Sequence, residues 1–276
     1  MAVEEFERVL DAQFDRFVRD HIPGSQFGFL KGCGTDDYGA LLSMTLSQVL
    51  ESRQEALVIS LDVKGAFDKV WWQGLLEHLR SIGVRGRALR LIQNYLSDRF
   101  LVVVAGGEQS EQHEISSGVP QGAIWSPKLW NLFVRLLPAE VRAMVFSYAD
   151  DTALVRVLSP KDTTPEGILR VTAEVNQDLE ALVQWGKRWG LTFEPKKNEQ
   201  MVVSLKQSSA DFPGLQCEGL KVKVVDQMKL VGFVFDSKLK WAGMVDRVRS
   251  KARCRLGALF RMCGVLERLG EQRYHV

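Results

Sequence analysis

Three aspartates stand where packing alone gives little reason for a carboxylate. Asp62 ends the apolar run ALVISLDV (56–63), and Asp150 and Asp151 interrupt the run MVFSYADDTALV (144–155). An ionised carboxylate at the end of a core strand is costly unless something compensates its charge. A pair of divalent cations is an economical partner, because Mg²⁺ prefers a few carboxylates plus substrate phosphates to a full protein cage. Two such ions about 3.5–4 Å apart can activate an attacking oxygen and stabilise the leaving one in an in-line phosphoryl displacement. Taken alone, Tyr-Ala-Asp-Asp is a four-residue pattern, and an Asp-Asp turn after an apolar strand is also ordinary hairpin chemistry.

The elements that must position these carboxylates can be read from periodicity. Phe6, Val9, Leu10, Phe14, Phe17 and Val18 form one helical stripe that Pro23-Gly24 ends. A second helix is expected over about 38–52, and residues 56–63 read as a buried strand rich in β-branched side chains. Helices follow at about 72–82 and 86–97, then strands at 100–104 and near Ile115 around the Gly106-Gly107 turn. Ser126-Pro127 predicts a helix start with a serine cap. The run 144–155 predicts a hairpin with both carboxylates at its turn. Thr164-Pro165-Glu166 opens a long helix with Ile168, Leu169, Val175, Leu179, Leu182 and Val183 on one side, and Gly190 closes it. Strand-like runs at 201–205, 220–225 and 230–235 complete an α+β pattern, an antiparallel sheet with helices on one face.

Composition sets the boundaries. The 276 residues are 46% apolar and 25% charged, which argues against disorder and repeat classes and allows a sizeable core. No apolar run reaches the ~18–20 residues of a spanning helix, so no membrane partner is expected. The acidic N-terminus does not suggest a signal peptide. Cys33, Cys217, Cys254 and Cys263 form no CxxC pair, so reduced thiols and an intracellular location, nuclear or cytoplasmic, are expected. The net charge of +2 averages two unlike ends: −3 over residues 1–20 and +7 over residues 237–276. The basic end also repeats Val245, Val248, Ala252, Leu256 and Leu259 at helical spacing. That pattern fits a solvated helix face, or a surface that holds a polynucleotide backbone.

Order gives the short motifs their weight. LDVKGAFDKV, SSGVPQGAIWSPKLWNLF (116–133), the YADD turn, EPKKNE (194–199) and KLVGFVFDSKLKW (229–241) follow one another along the chain, after QFGFLKG near its start. This ordered set resembles reverse transcriptases, most closely those of non-LTR (LINE-like) retrotransposons. The resemblance covers nearly the whole chain and implies a right-hand polymerase with a ferredoxin-like antiparallel palm sheet. Residues 1–55 would be partial fingers. Residues 56–236 would be the palm, with an interleaved fingers segment at about 70–115 and a primer-grip hairpin at about 220–236. Residues 237–276 would start a truncated thumb.

The same resemblance implies roles. Asp62, Asp150 and Asp151 would be the catalytic metal ligands for two Mg²⁺ ions, with Mn²⁺ as an alternative. A primer 3′-hydroxyl would attack the α-phosphate of a dNTP, copying an RNA template onto a DNA primer. Val63, Lys64, Gly65, Ala66, Phe67, Gln121 and Lys197 would contact the nucleotide. Phe67 would exclude a ribose 2′-hydroxyl, and Lys197 would protonate pyrophosphate, its register against Lys196 being open by one residue. Leu230, Val231 and Gly232 would hold the primer. Asp68 is explained as a helix cap for the segment beginning near Val70.

The chain also departs from the family pattern. Leu30 and Cys33 stand where arginines are usual, leaving Lys31 of that cationic cluster, and Trp125 replaces a smaller aliphatic residue. The segment that supplies the family's fingertip basic residues, and any endonuclease, ribonuclease H or zinc-knuckle region, are not expected in this chain. A retroelement remnant with impaired catalysis that binds nucleic acid or protein is therefore the alternative to a reverse transcriptase. An RNA-directed RNA polymerase is disfavoured by Phe67 and Ala149.

Overall fold

A computed structural model describes residues 2–207 and 209–271. Its centre is a five-stranded sheet in the order β11-β8-β1-β7-β6, formed by β1 (Glu55–Leu61), β6 (Met144–Tyr148), β7 (Asp151–Leu158), β8 (Glu199–Val203) and β11 (Lys223–Val224). β1 pairs antiparallel with both β7 and β8, whereas β11 runs parallel to β8. The sheet is thus mixed at one edge rather than wholly antiparallel.

Strand alternation decides which residues face which layer. Leu57, Ile59 and Leu61 of β1 and Leu154 of β7 pack into one core. Against them lie α3 (Trp72–Ser81), α5 (Ser126–Val134) and α6 (Pro165–Trp189), with α4 (Gly86–Leu96) beside α3. Ala56, Val58, Ala153 and Val155 face the other way, onto Tyr38, Leu42 and Leu46 of α2 (Thr35–Glu51). That second face is closed by the hairpin of β12 (Gln227–Leu230) and β13 (Phe233–Asp236), through Met228, Leu230 and Phe235. Both faces are therefore covered, which corrects the expectation of helices on one face only. It also explains why β1 is continuously apolar from Ala56 to Ile59: it is central and buried on both sides.

Helix α1 (Ala2–His21) docks on α5 through charge as well as its apolar stripe. Lys128, nearly buried, bridges Asp11 and Asp15 at 2.5 and 3.2 Å, and Glu7 accepts from the Ile124 N–H at 3.0 Å. The acidic bias of the N-terminal helix is thus partly internal pairing. The Trp125 ring fills the same joint, 5.0 Å from Phe14 and 5.6 Å from Tyr95.

Four local expectations change. Ser126 starts α5 but no side-chain bond caps that helix. Leu169 is 72% exposed and lies off the buried stripe of α6, although Thr164 caps that helix and Gly190 ends it as expected. The run 100–104 breaks into β2 (Phe100–Leu101) and β3 (Val104–Ala105), which pair with β5 (His113–Glu114) and β4 (Glu108–Gln109) in an exposed arm. The run 220–225 likewise splits between β11 and β10 (Leu220–Lys221), which pairs with β9 (Gln216–Cys217).

The chain after β13 becomes the 30-residue helix α7 (Ala242–Glu271), whose contacts with the rest of the fold run mainly through β13. Residues 272–276 of the basic segment, Arg273 among them, lie outside the described residues. Among the described residues no helix is long and apolar enough to cross a membrane, and Cys33, Cys217 and Cys254 are free thiols.

Candidate active site

The sheet register brings the three aspartates together. β1 and β7 pair with Leu61 opposite Thr152, so one further step sets Asp62 across from Asp151. β6 and β7 pair with Tyr148 opposite Asp151, leaving Ala149 and Asp150 as a two-residue turn. Asp150 is therefore in the turn, while Asp151 already begins a strand. Ala149 has φ 60 and Asp150 does not share a positive φ, a pattern that normally places glycine at the first turn position.

The carboxylates feel one another. Partial desolvation raises the Asp151 pKa above its ordinary value, and the charges of Asp150 and then Asp62 raise it further. Lys229 and the main-chain N–H of Val231, which binds this carboxyl group, act in the opposite direction. The Asp151 charge also adds to burial in raising the phenol of Tyr38. Asp62 has a cation beside it: Lys197 Nζ donates to its Oδ2 at 2.9 Å, and this bond raises the lysine pKa. Lys197 rather than Lys196 makes that contact.

An all-oxygen set of this kind suits a hard divalent cation, and crowding of like charge gives such a cation something to relieve. Among the described residues, no group of three or more His, Cys, Asp or Glu side chains is set to hold a metal ion by itself. A few carboxylate oxygens suit a hard ion that completes its shell with water or substrate oxygens.

The flanking residues divide into core, scaffold and open positions. Val63 is 6% exposed and bridges to Phe193, so its side chain belongs to the core. The Lys64 N–H is taken by Thr192 O at 2.9 Å, whereas its side chain and Gly65 are exposed. Ala66 is buried, and Phe67 is half-buried between Phe29 and Trp130, each 5.8 Å away. Gln121 is exposed and donates through Nε2 to Asp68 Oδ1 at 3.1 Å. Asp68 is therefore not the cap of the next helix, which starts at Trp72 after an uncapped Trp71. It ties the 116–121 loop to the turn carrying Phe67. Main-chain bonds from Gly118 to Val70 and from Val119 to Phe67 reinforce that join.

The hairpin expected at 220–236 is confined to β12 and β13, with Val231-Gly232 as its turn. The apolar run 230–235 is consequently not one strand. Leu230 is 4% exposed and points into the core, leaving Val231 and Gly232 at the surface of a cleft of about 460 Å³. Asp150, Asp151, Lys229 and Arg247 of α7 line the same cleft. It has two carboxylates on one wall and two cations nearby, which suits a ligand carrying both metal-binding oxygens and phosphates.

Sequence reading did not single out Gln26, Trp130, Lys229 or Arg247. Gln26 and Trp130 both bond the main chain of Ala149, and each is separated from the turn by a tertiary contact that no local pattern announces. Gly28 carries a clearer signal. A Cβ there would lie 2.2 Å from the Ala149 nitrogen, so this position accepts no side chain while the hairpin is seated.

Comparison with known proteins agrees with this architecture. The family profile described as reverse transcriptase (RNA-dependent DNA polymerase) matches residues 2–234. The RNA-directed DNA polymerase of the mobile element jockey from Drosophila melanogaster is 25% identical over 250 residues, covering 88% of this chain and 26% of that protein. The probable RNA-directed DNA polymerase of transposon BS from the same fly is 27% identical over 226 residues, covering 79% and 24%. The chain thus spans about a quarter of the length of these relatives. Among solved structures, telomerase from Candida tropicalis in complex with a fragment of telomeric RNA superposes with a TM-score of 0.53 at 14% identity, over 86% of this chain and 37% of that one. Apo telomerase from the same organism gives 0.52 at 13% identity, over 83% and 39%. Those likenesses concern the fold. With the profile running through the sheet, the aspartates and the hairpin beside them, this chain belongs to the reverse transcriptase (RNA-dependent DNA polymerase) family.

Proposed function

We propose that this chain is the polymerising core of a non-LTR retroelement protein, and that it extends a DNA primer with dNTPs on an RNA template. The observation that carries this reading is the register of β1 against β7, which sets Asp62 across from Asp151 and beside the Asp150 turn. The division into partial fingers (1–55), palm with interleaved fingers (56–236) and start of a thumb (237–276) belongs to the same proposal.

Asp62, Asp150 and Asp151 would hold two Mg²⁺ ions. Bound there, the ions would supply activation of the primer 3′-hydroxyl and neutralisation of the triphosphate. The chain itself would do the positioning, which is most of what phosphoryl transfer asks of a protein. The Phe67 ring, backed by Phe29 and Trp130, would sit under the sugar and leave no room for a 2′-hydroxyl. Gln121, oriented by Asp68, would fix the base pair being formed. Lys197 is bonded to Asp62 in the free chain and would be released to donate a proton to pyrophosphate once that carboxylate is neutralised otherwise. Val231 and Gly232 would place the primer end, with Lys229 and Arg247 toward its phosphates and the basic face of α7 along the duplex.

The test is extension of a primed RNA template with Mg²⁺ or Mn²⁺ and either dNTPs or rNTPs. Extension with dNTPs is expected, and Asp150→Asn should lower it at least about 10²–10³-fold. Phe67→Ala should raise ribonucleotide incorporation. Extension with rNTPs alone would overturn the substrate assignment. Salt-sensitive binding of primer–template without any extension would favour a remnant that binds nucleic acid.

A further inference from the structure

We infer that Gln26 is a positioning residue for the carboxylate turn: its side-chain amide clamps the main chain of Ala149 and so sets where Asp150 and Asp151 stand. This rests on the metal-dependent reading above. Gln26 lies 123 residues upstream and is 5% exposed. Its Oε1 accepts from the Ala149 N–H at 3.0 Å, and its Nε2 donates to Ala149 O at 3.2 Å. One amide therefore satisfies both polar groups of a single turn residue. The same Oε1 also accepts from the Gly28 N–H at 2.9 Å, which fixes the amide's orientation.

Neighbouring contacts seat the clamp. Main-chain bonds link Phe27 to Ser147 O and Ser147 to Ser25 O, each 2.8 Å, so the segment around Gln26 runs beside β6 as a short extra edge. Trp130 Nε1 adds a second donor to Ala149 O at 3.1 Å. Its ring also backs Phe67, so one side chain touches both the turn and the aromatic expected beneath the sugar. Asn131, next in α5, donates to Gly28 O at 2.7 Å.

A clamp is needed because of Ala149 itself. Its φ of 60 is a conformation in which alanine is strained and glycine is not, and it persists only where the surroundings over-determine it. Without Gln26, the strain and the unpaired Ala149 N–H would both favour another turn geometry, even with Trp130 still on Ala149 O. Any such change moves Asp150 directly and Asp151 through the strand start.

The experiment uses the full chain and the variants Gln26→Met, Trp130→Phe, Ala149→Gly and Gln26→Met/Ala149→Gly. Amide hydrogen exchange reads the clamp, and Mn²⁺ binding followed by electron paramagnetic resonance reads its consequence. In Gln26→Met the Ala149 amide should exchange at least about tenfold faster, while the β1–β7 amides stay protected. Mn²⁺ affinity should fall about tenfold, as for loss of a group that orients a metal ligand. In the Ala149→Gly background the turn is no longer strained, so the same Gln26→Met change should cost less than about threefold in Mn²⁺ affinity. If Gln26→Met does not fold, Trp130→Phe removes one of the two donors to Ala149 O, keeps a ring against Phe67, and should weaken Mn²⁺ binding in the same direction. Unchanged Ala149 exchange, unchanged Mn²⁺ affinity, or equal losses in both backgrounds would each overturn the assignment. Failure of the unmodified chain to bind Mn²⁺ would count against the metal-dependent reading, and the exchange measurement would still decide the clamp.

Discussion

Two hairpins meet at the cleft, and each turns on a non-glycine residue with positive φ: Ala149 at 60 and Val231 at 47. Such a residue costs of order 1–3 kcal/mol, so both turns store strain. They are held very differently. The Ala149 turn is bonded by Gln26 and Trp130 and closely packed by Gly28. The Val231 turn borders open cleft, and nothing lies within 4 Å of a Cβ built on Gly232. The Val231 N–H on the Asp151 carboxylate links this turn to the first hairpin. The contrast fits a division of labour in which the carboxylates need fixed spacing and the facing turn needs room for a strand.

The sharpest way to break that contrast is a pair of glycine substitutions. Gly28→Ala drives a methyl group onto backbone that cannot yield, and should cost about 3 kcal/mol or more, at the upper end for overpacking. Gly232→Ala has open space and should cost only its backbone strain, about 1–2 kcal/mol. Urea midpoints of the two variants decide the matter, and equal losses would mean the turns are equally constrained.

A smaller effect separates the hairpins by pH. The Asp151 pKa is raised in the folded chain, so the native state holds this proton more tightly than the unfolded one. Stability from this group therefore falls as pH climbs from the ordinary value of 3.8 through the raised one. Asp151→Asn removes that loss. Its melting temperature should exceed that of the parent chain at pH 7, and the gap should close as pH drops toward 3.8. A gap independent of pH would place the strain elsewhere.

The smallest effect belongs to Val231→Gly. Relief at a positive φ is offset by the greater freedom of glycine in the unfolded chain, so a gain of no more than about 1 kcal/mol is expected in denaturant melts. A loss larger than that would show that the Val231 side chain, rather than only its main chain, holds the second turn.

Much of the candidate site was legible because its signals are local. Asp62 after a buried strand, the Asp-Asp turn and the capped α6 with Gly190 at its end each follow from neighbours within a few residues. Misreadings arose where distant partners decide the outcome. Ser126 and Asp68 have the residue types of helix caps, yet Asp68 bonds Gln121 across 53 positions and no side chain caps the helix at Ser126. Leu169 neighbours the buried stripe in sequence, but Ile168 and Val171 take the core-facing positions on either side of it, which turns Leu169 outward.

The sequence by itself determined the order of the elements, the three carboxylates and the opposite charge of the two ends, because composition and short-range spacing are enough for each. The tertiary structure decided that the sheet is covered on both faces, that Lys197 rather than Lys196 meets Asp62, and that Gln26 grips Ala149. Those outcomes depend on which strand pairs with which and in what register. A slip of one residue would turn every side chain to the other face and part the aspartates, so only the assembled sheet fixes the site.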